Sequence, residues 1–151
     1  MIYEWKNGSR IGIDPAKAGP VLSKLAKDGE CDPRAVIREA KKKSSPLHEY
    51  FEWDDTKAAD LYRTGQAQHL IRCLVIRNNE KDESSRQAFY GIHFPKETRY
   101  YEPHTILSDA ELSELLMAQA KKDMERFVDK YEEIRSLLEP AYTHIKQIVN
   151  G

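Results

Sequence analysis

The sequence predicts an α+β protein that is mostly helical, with a helix-turn-helix-like N-terminal domain, a small antiparallel β-hairpin and a long C-terminal helix. Asp-Pro and Ser-Pro pairs, which start helices well, recur in the first third of the chain. An apolar run at Cys73–Ile76 is typical of a strand, and apolar residues from Phe127 to Ile148 follow heptad spacing. The predicted division is 1–72 for the helical domain, 73–107 for the hairpin region and 108–151 for the C-terminal helix.

The composition limits the classes of function. A chain of 151 residues with 40% hydrophobic content can form one core and an extended helix. The 24 Lys and Arg residues nearly balance the 25 Asp and Glu residues, so overall charge demands no nucleic-acid or membrane partner. Residues 1–77 carry 14 cationic against 11 acidic side chains, which permits a basic patch in that half.

The cysteines and the N-terminus predict a compartment. Cys31 and Cys73 form no Cys-x-x-Cys pair, which argues against a zinc knuckle and a disulfide framework and fits a reducing environment. The N-terminus is charged, and no stretch of about 18 apolar residues occurs. We therefore expect a soluble protein that is neither exported nor membrane-spanning.

The N-terminal region contains three candidate elements. Residues 1–13 surround Asn7-Gly8, a turn dipeptide, and fit either a short hairpin or an irregular arm. Asp14-Pro15 has the form of a helix start, but Gly19-Pro20 interrupts it, so the helix is predicted from Pro20 to a stop at Gly29. Asp32-Pro33 predicts a further helix through about Lys42.

The segment after this helix carries the densest local signal. Ser45-Pro46 predicts a short helical turn to Phe51, and Asp54 is placed to cap a helix from Asp55 to about Leu70, with Ala58 on its apolar face. Aromatic residues clustered in sequence usually belong to the core. We expect this of four rings: Tyr50, Phe51, Trp53 and Tyr62.

Strands and a helix start follow. Residues 73–76 and 87–94 predict two strands that pair as an antiparallel hairpin, and Arg99–Tyr101 predicts a short third strand. Ser108 and Glu111 form a capping box, in which the Ser108 hydroxyl accepts from the third helical amide. This box predicts the start of the long C-terminal helix.

Seven apolar residues of that helix are spaced alternately four and three apart. They are Phe127, Tyr131, Ile134, Leu138, Ala141, Ile145 and Ile148. Pro140 predicts a kink or break. The stripe either packs back on the hairpin as core or is buried against another copy or a partner, and we predict self-association. The predicted oligomerisation residues are Phe127, Tyr131, Ile134, Leu138, Ile145 and Ile148.

The pair of helices around Gly29 predicts a DNA-binding function. A helix, a short turn and a second helix have the order of a helix-turn-helix, whose second helix enters the major groove. Five cationic residues on or beyond that second helix are suited to phosphates or base edges. They are Arg34, Arg38, Lys41, Lys42 and Lys43. The alternative is an ordinary helical bundle with a solvated basic face.

The chain lacks a complete enzyme or metal motif. His48 and Glu52 are four residues apart, a spacing used in metal sites, but no second His completes a zinc site. Glu52, Asp54 and Asp55 have the ligand chemistry of a magnesium site, but no further carboxylate or Lys set accompanies them. We therefore predict no enzymatic activity, no metal and no cofactor.

Several segments resemble one group of small tailed-phage and prophage proteins. The likeness is carried by Cys-Asp-Pro-Arg-Ala-Val from Cys31, by Tyr62-Arg63, by Leu-Ser-Asp-Ala-Glu-Leu from Leu107, and above all by Leu-His-Glu-Tyr-Phe-Glu-Trp-Asp from Leu47. It spans roughly residues 29–148. The resemblance implies a phage or prophage origin and assigns no catalytic or binding residue.

These observations combine into one predicted function and an alternative. We predict a phage-encoded, oligomeric, DNA-associated protein, regulatory or architectural, in the host bacterial cytoplasm. Its expected partners are double-stranded DNA and further copies of itself, without a membrane. The alternative is an interaction or assembly factor that binds a host or virion protein through its helical surfaces.

Overall fold

The computed structural model of the chain describes residues 1–57 and 59–151. In these residues the protein is α+β and mostly helical, as predicted. The elements are β1 Ile2–Trp5, α1 Pro15–Leu25, α2 Pro33–Ala40, α3 Asp60–Cys73, β2 Leu74–Arg77, β3 Arg86–Gln87, β4 Tyr90–His93, β5 Thr98–Tyr101, α4 Pro103–Leu107, α5 Ala110–Tyr131 and α6 Ala141–Asn150. Two 3-10 segments, His48–Tyr50 and Glu132–Leu137, complete the described secondary structure.

The chain forms two compact units, Met1–Ile106 and Leu107–Gly151. The predicted boundary at residues 72 and 73 therefore lies inside the first unit. None of the helices in the described part of the chain combines the length and apolar character needed to cross a bilayer.

The first unit contains two small antiparallel sheets. Strand β2 is central in the first sheet and pairs with both β1 and β3, with Tyr3 opposite Ile76 and Ile76 opposite Arg86. The predicted antiparallel pairing after Cys73 is confirmed in β2 and β3, and the start of the chain is a strand on the other edge of β2.

The second sheet shows where the predicted strand 87–94 is wrong. That run divides into β3 and β4, which lie in different sheets, and β4 pairs with β5 so that Tyr90 faces Tyr101. The division falls at Ala88 and Phe89, whose side chains are buried. The chain changes sheets here because two consecutive side chains enter the core, whereas a continuous strand alternates its faces.

Helix α1 begins earlier than predicted. Asp14 caps it by accepting a hydrogen bond from Ala16 N at 2.9 Å, so Pro15, not Pro20, is its first residue. Pro20 lies inside the helix and cannot donate to the carbonyl of Ala16. Both residues are exposed, so water can satisfy that carbonyl. The helix ends at Leu25, before Gly29.

Helix α3 begins later than predicted. The Asp54 carboxylate accepts from Thr56 N at 3.0 Å and from Thr56 Oγ1 at 2.6 Å, so it closes a local turn and caps no helix. The helix starts at Asp60, and the expected contribution of Ala58 lies outside the described residues. The predicted core position of Tyr62 is wrong, because its side chain is exposed, whereas Phe51 is buried.

The second unit is built from α5 and α6. Asp109, not Ser108, caps α5, because its carboxylate accepts from Leu112 N at 3.0 Å. The predicted break is present: α5 passes into the 3-10 segment, Ile134 has non-helical dihedral angles, and α6 begins after Pro140. Helix α6 packs against α5, and Tyr142 is buried.

The core of the first unit draws on almost every element. Helices α1, α2 and α3 contribute Leu22, Val36, Leu70 and Ile71, and β2 contributes Leu74. The segments between them add Cys31, Leu47 and Phe51, and the residues around the second sheet add Phe89 and Tyr100. This single apolar cluster holds α2 in place.

Candidate nucleic-acid interface

Helix α2 presents opposite chemistry on its two sides. Val36 and Ala40 are fully buried on the inner side, where α2 packs against α3. Arg34 and Arg38 are exposed on the outer side. Positions 34, 38 and 41 recur every three to four residues, which places them along one stripe of the helix surface.

The predicted DNA-binding residues therefore form one exposed basic surface. We call it the α2 basic face, made of Arg34, Arg38, Lys41, Lys42 and Lys43. The lysines occupy the C-cap position and the turn that follows. Two carboxylates, Asp32 and Glu39, are the only acidic residues from 32 to 43, so the segment is net positive.

The two carboxylates neutralise only part of this face. Arg34 Nε lies 3.2 Å from Asp32 Oδ1, and Lys42 Nζ lies 2.6 Å from Glu39 Oε2. Among the residues that the structure describes, Arg38, Lys41 and Lys43 form no ion pair within 4.0 Å. These three cations are available to an external anion.

The start of α2 is fixed by the connection that precedes it. Asp32 caps the helix, accepting from Arg34 N at 2.9 Å, and Pro33 is the first helical residue. Cys31 N donates to Tyr100 O at 2.9 Å, and Glu30 receives two hydrogen bonds from Arg99, at 2.7 and 2.8 Å. The end of the connection is thus tied to β5.

The connection differs from the turn of a helix-turn-helix. It comprises residues 26–32, longer than the three or four residues usual in that motif. Gly29 adopts a φ of +78°, and a Cβ there would lie 1.7 Å from Thr105 Oγ1. Glycine is required by both the left-handed backbone and the close approach.

The end of α2 is fixed by His48. Its Nδ1 donates to the carbonyl oxygen of Ala40, the last residue of α2, at 2.7 Å. Its ring stacks on Trp53 with centroids 5.2 Å apart, and Trp53 Nε1 donates to the His48 carbonyl at 2.9 Å. His48 therefore satisfies a helix-terminal carbonyl that would otherwise lack a partner.

The acidic residues near His48 also have local roles. Glu52 Oε1 accepts a hydrogen bond from Asp54 N at 3.1 Å. This bond involves a residue that follows Glu52 in the chain, whereas His48 precedes it. In the described ranges 1–57 and 59–151, no three His, Cys, Asp or Glu side chains are grouped closely enough to hold a metal ion.

Two polar residues of α3 that the sequence analysis did not predict, Arg63 and Gln66, form hydrogen bonds with the backbone of residues 50–52. Arg63 is buried, donates from Nε to the Glu52 carbonyl at 3.0 Å, pairs with Asp55, and lies over the Trp53 ring. Gln66 accepts from Glu52 N at 3.3 Å and donates to Tyr50 O at 3.2 Å.

A sequence signal for these residues exists. Arg63 lies four residues before Ala67 and seven before Leu70, so it continues the buried stripe of α3 toward the N-terminus. A charged residue in such a stripe indicates a buried hydrogen-bonding role.

The predicted oligomerisation residues do not lie on one helix. Phe127 and Tyr131 are on α5, where their ring centroids are 5.0 Å apart. Ile134 belongs to the 3-10 segment and Leu138 ends it, and Ile145 and Ile148 are on α6. The heptad stripe is interrupted because α6 folds back on α5. In this arrangement Lys146 Nζ of α6 lies 3.9 Å from Glu132 Oε1.

Comparison with known proteins assigns the chain to no family. No family model, no curated protein and no solved structure matches the chain.

Proposed function

We propose that this protein is a phage-encoded, oligomeric, DNA-associated protein with a regulatory or architectural role and no catalytic activity. The observation that carries the proposal is the α2 basic face, five exposed cations of which two lie on a helix that is fixed at both ends and three follow its last residue. Phosphate contacts supply most non-specific affinity for DNA, and a rigid helix presents them without an ordering cost.

The α2 basic face suits a duplex in its dimensions. An α-helix with its side chains is about 10 to 12 Å across, which fits the major groove of about 12 Å, and the eight residues of α2 span about 12 Å. The lysines that follow the helix extend the row of charge by a further turn. Double-stranded DNA is therefore the partner that we propose for this surface.

The first experiment measures duplex binding at several salt concentrations. Each neutralised phosphate contributes a slope of about −0.9 to log affinity against log salt. The double variant Arg38→Ala, Lys41→Ala removes two cations that form no ion pair in the described chain, so the slope should flatten by about 1.8 per α2 face. The thermal midpoint should stay unchanged, because exposed charges contribute little to folding.

A matched control removes the same charge elsewhere. Lys121 and Lys122 are exposed on α5 in the second unit. The variant Lys121→Ala, Lys122→Ala should retain the wild-type salt slope. The proposal fails if the wild type does not bind duplex DNA at low salt, or if both double variants behave alike.

A second candidate function is supported by α3. Leu61 and Tyr62, in its first turn, are 84% and 57% exposed, and adjacent large apolar side chains are unusual on a free surface. They favour an interaction or assembly factor that binds a host or virion protein. Absence of DNA binding in the first experiment makes this the better proposal, and the variant Leu61→Ser, Tyr62→Ser should then abolish capture of that partner.

A further inference from the structure

A cavity of about 280 Å³ lies within the first unit. Its floor is one face of the first sheet, because Tyr3, Ile76 and Arg86 are successive partners across β1, β2 and β3. The other walls come from Met1, from α1, from Phe89, and from the residues where β5 passes into α4. The cavity lies apart from the α2 basic face.

The apolar walls of the cavity belong to the rigid core. Leu74 and Phe89 are buried and form part of the apolar cluster of the unit. Tyr3 is held against α1 at Gly19, where an added Cβ would lie 2.2 Å from the Tyr3 ring. The cavity is therefore preformed, and its volume is near the lower end of the range for ligand sites.

The polar groups of the cavity differ in their surroundings. Glu102 is partly enclosed, with 24% of its side chain exposed, compared with 74% for its partner His104 at 3.3 Å. Arg86 is exposed, and its guanidinium donates to Asn78 Oδ1 at 2.9 Å. Among the described residues, no Lys or Arg forms an ion pair with Glu102.

We propose that this cavity binds a small organic cation, a protonated amine with an aromatic or aliphatic body. The apolar body would fill the space beside Tyr3 and Phe89, and the ammonium group would donate to Glu102. A partly enclosed carboxylate that pairs with no Lys or Arg among the described residues favours such a ligand, since a charge-assisted hydrogen bond is stronger than a neutral one. Aromatic walls add a favourable interaction with the cation.

The first test compares three matched probes on the full chain: 2-phenylethylammonium, 2-phenylethanol and phenylacetate. Calorimetric titration should show the amine binding about tenfold more tightly than the alcohol, and phenylacetate binding least. In NMR spectra of the wild type, the amine should shift the ring signals of Tyr3 and Phe89. This readout depends on no variant.

The second test changes the charge while keeping the shape. Glu102→Gln should bind the amine and the alcohol equally, whereas Arg86→Gln should keep the preference for the amine. Circular dichroism and the thermal midpoint check that both variants fold. The proposal is overturned if phenylacetate binds best, if Glu102→Gln keeps the preference, or if the amine leaves the Tyr3 and Phe89 signals unchanged at millimolar concentration.

Discussion

Arg63 shows how a single buried cation organises the segment around it. Its guanidinium donates to the Glu52 carbonyl, contacts Asp55, and covers the Trp53 ring. The Trp53 ring stacks on His48, whose Nδ1 donates a hydrogen bond to the last carbonyl of α2. A residue of α3 thus supports the helix that presents the α2 basic face, although it lies outside that face.

We expect Arg63→Ala to lower the free energy of unfolding by about 2 to 3 kcal/mol, because it leaves the partly buried Glu52 carbonyl without this donor and removes packing over Trp53. Arg63→Lys should restore part of the loss. The matched control Arg72→Ala, at an exposed position of α3, should change stability by less than about 0.5 kcal/mol. Urea unfolding measures all three, and equal effects at positions 63 and 72 would contradict the assigned role.

Cys31 gives a prediction for alkaline pH. Burial, with smaller contributions from Asp32, Glu102 and Glu30, raises the pKa of its thiol from 9.0 to about 12. Between these values the unfolded chain loses a proton that the folded chain keeps, so stability falls as pH rises. Well below pH 9 the thiol is neutral in both states and contributes no pH dependence.

The test compares wild type with Cys31→Ala. From about pH 8 to about pH 10, the wild type should lose about 1.4 kcal/mol more stability than the variant. The pKa values of Tyr50 and Cys73 are also raised by burial, but these groups are present in both proteins and cancel in the difference. Parallel pH profiles of the two proteins would refute the prediction.

At the scale of elements, two helical glycines form a matched pair. A Cβ at Gly19 of α1 would lie 2.2 Å from the Tyr3 ring on β1, whereas a Cβ at Gly65 of α3 would have no neighbour within 4 Å among the residues that the structure describes. Gly19→Ala should therefore destabilise the protein by about 1 to 3 kcal/mol through overpacking. Gly65→Ala should stabilise it by about 0.5 to 1 kcal/mol, because alanine favours the helix.

Thermal and urea unfolding of both variants give opposite signs if α1 packs on β1 as described. Destabilisation by Gly65→Ala would contradict the open space beside Gly65. A neutral effect of Gly19→Ala would indicate that Tyr3 moves freely, which would also remove one wall of the amine cavity.

Local signals in the sequence predicted the elements that depend on local chemistry. The cap at Asp32, the turn at Ser45-Pro46 and the strand at Arg99–Tyr101 all follow from neighbouring residues, and the structure contains them. The α2 basic face was predictable for the same reason, because helical spacing places its residues together.

Other features depend on contacts distant in sequence. Pairing of β1 with β2 joins residues 2–5 to residues 74–77, and no local pattern specifies it. The helix from Pro15 tolerates Pro20 because that side of α1 is exposed, and this exposure is set by the packing of its other face. The cavity walls could not be predicted because they converge from five separate segments.

At the scale of the whole molecule, the two units differ in charge. Residues 107–151 contain six Lys and Arg against nine Asp and Glu, whereas residues 1–106 contain 18 against 16. The second unit therefore repels a polyanion, which favours the first unit for the proposed DNA contacts and makes the second unit the candidate for the predicted self-association.

We expect the full chain to be dimeric at tens of micromolar through apolar side chains of the second unit. Ile134 and Ile148 are 46% and 54% exposed, and burial of a large apolar side chain contributes about 1.5 to 3 kcal/mol. The variant Ile134→Asp, Ile148→Asp should be monomeric in sedimentation velocity. Met117→Asp, also at an exposed apolar position but outside the predicted set, should remain dimeric.

Added salt should affect this self-association and DNA binding differently. The second units of two copies are both net negative and repel each other. Added salt screens this repulsion while apolar contacts persist, so it should leave the dimer unchanged or strengthen it. DNA binding should weaken over the same range, because counterions are released from phosphates. Sedimentation velocity and DNA isotherms in the same buffers measure both. A monomeric wild type, or a dimer that dissociates as salt rises, would show that the second unit does not associate through these apolar residues.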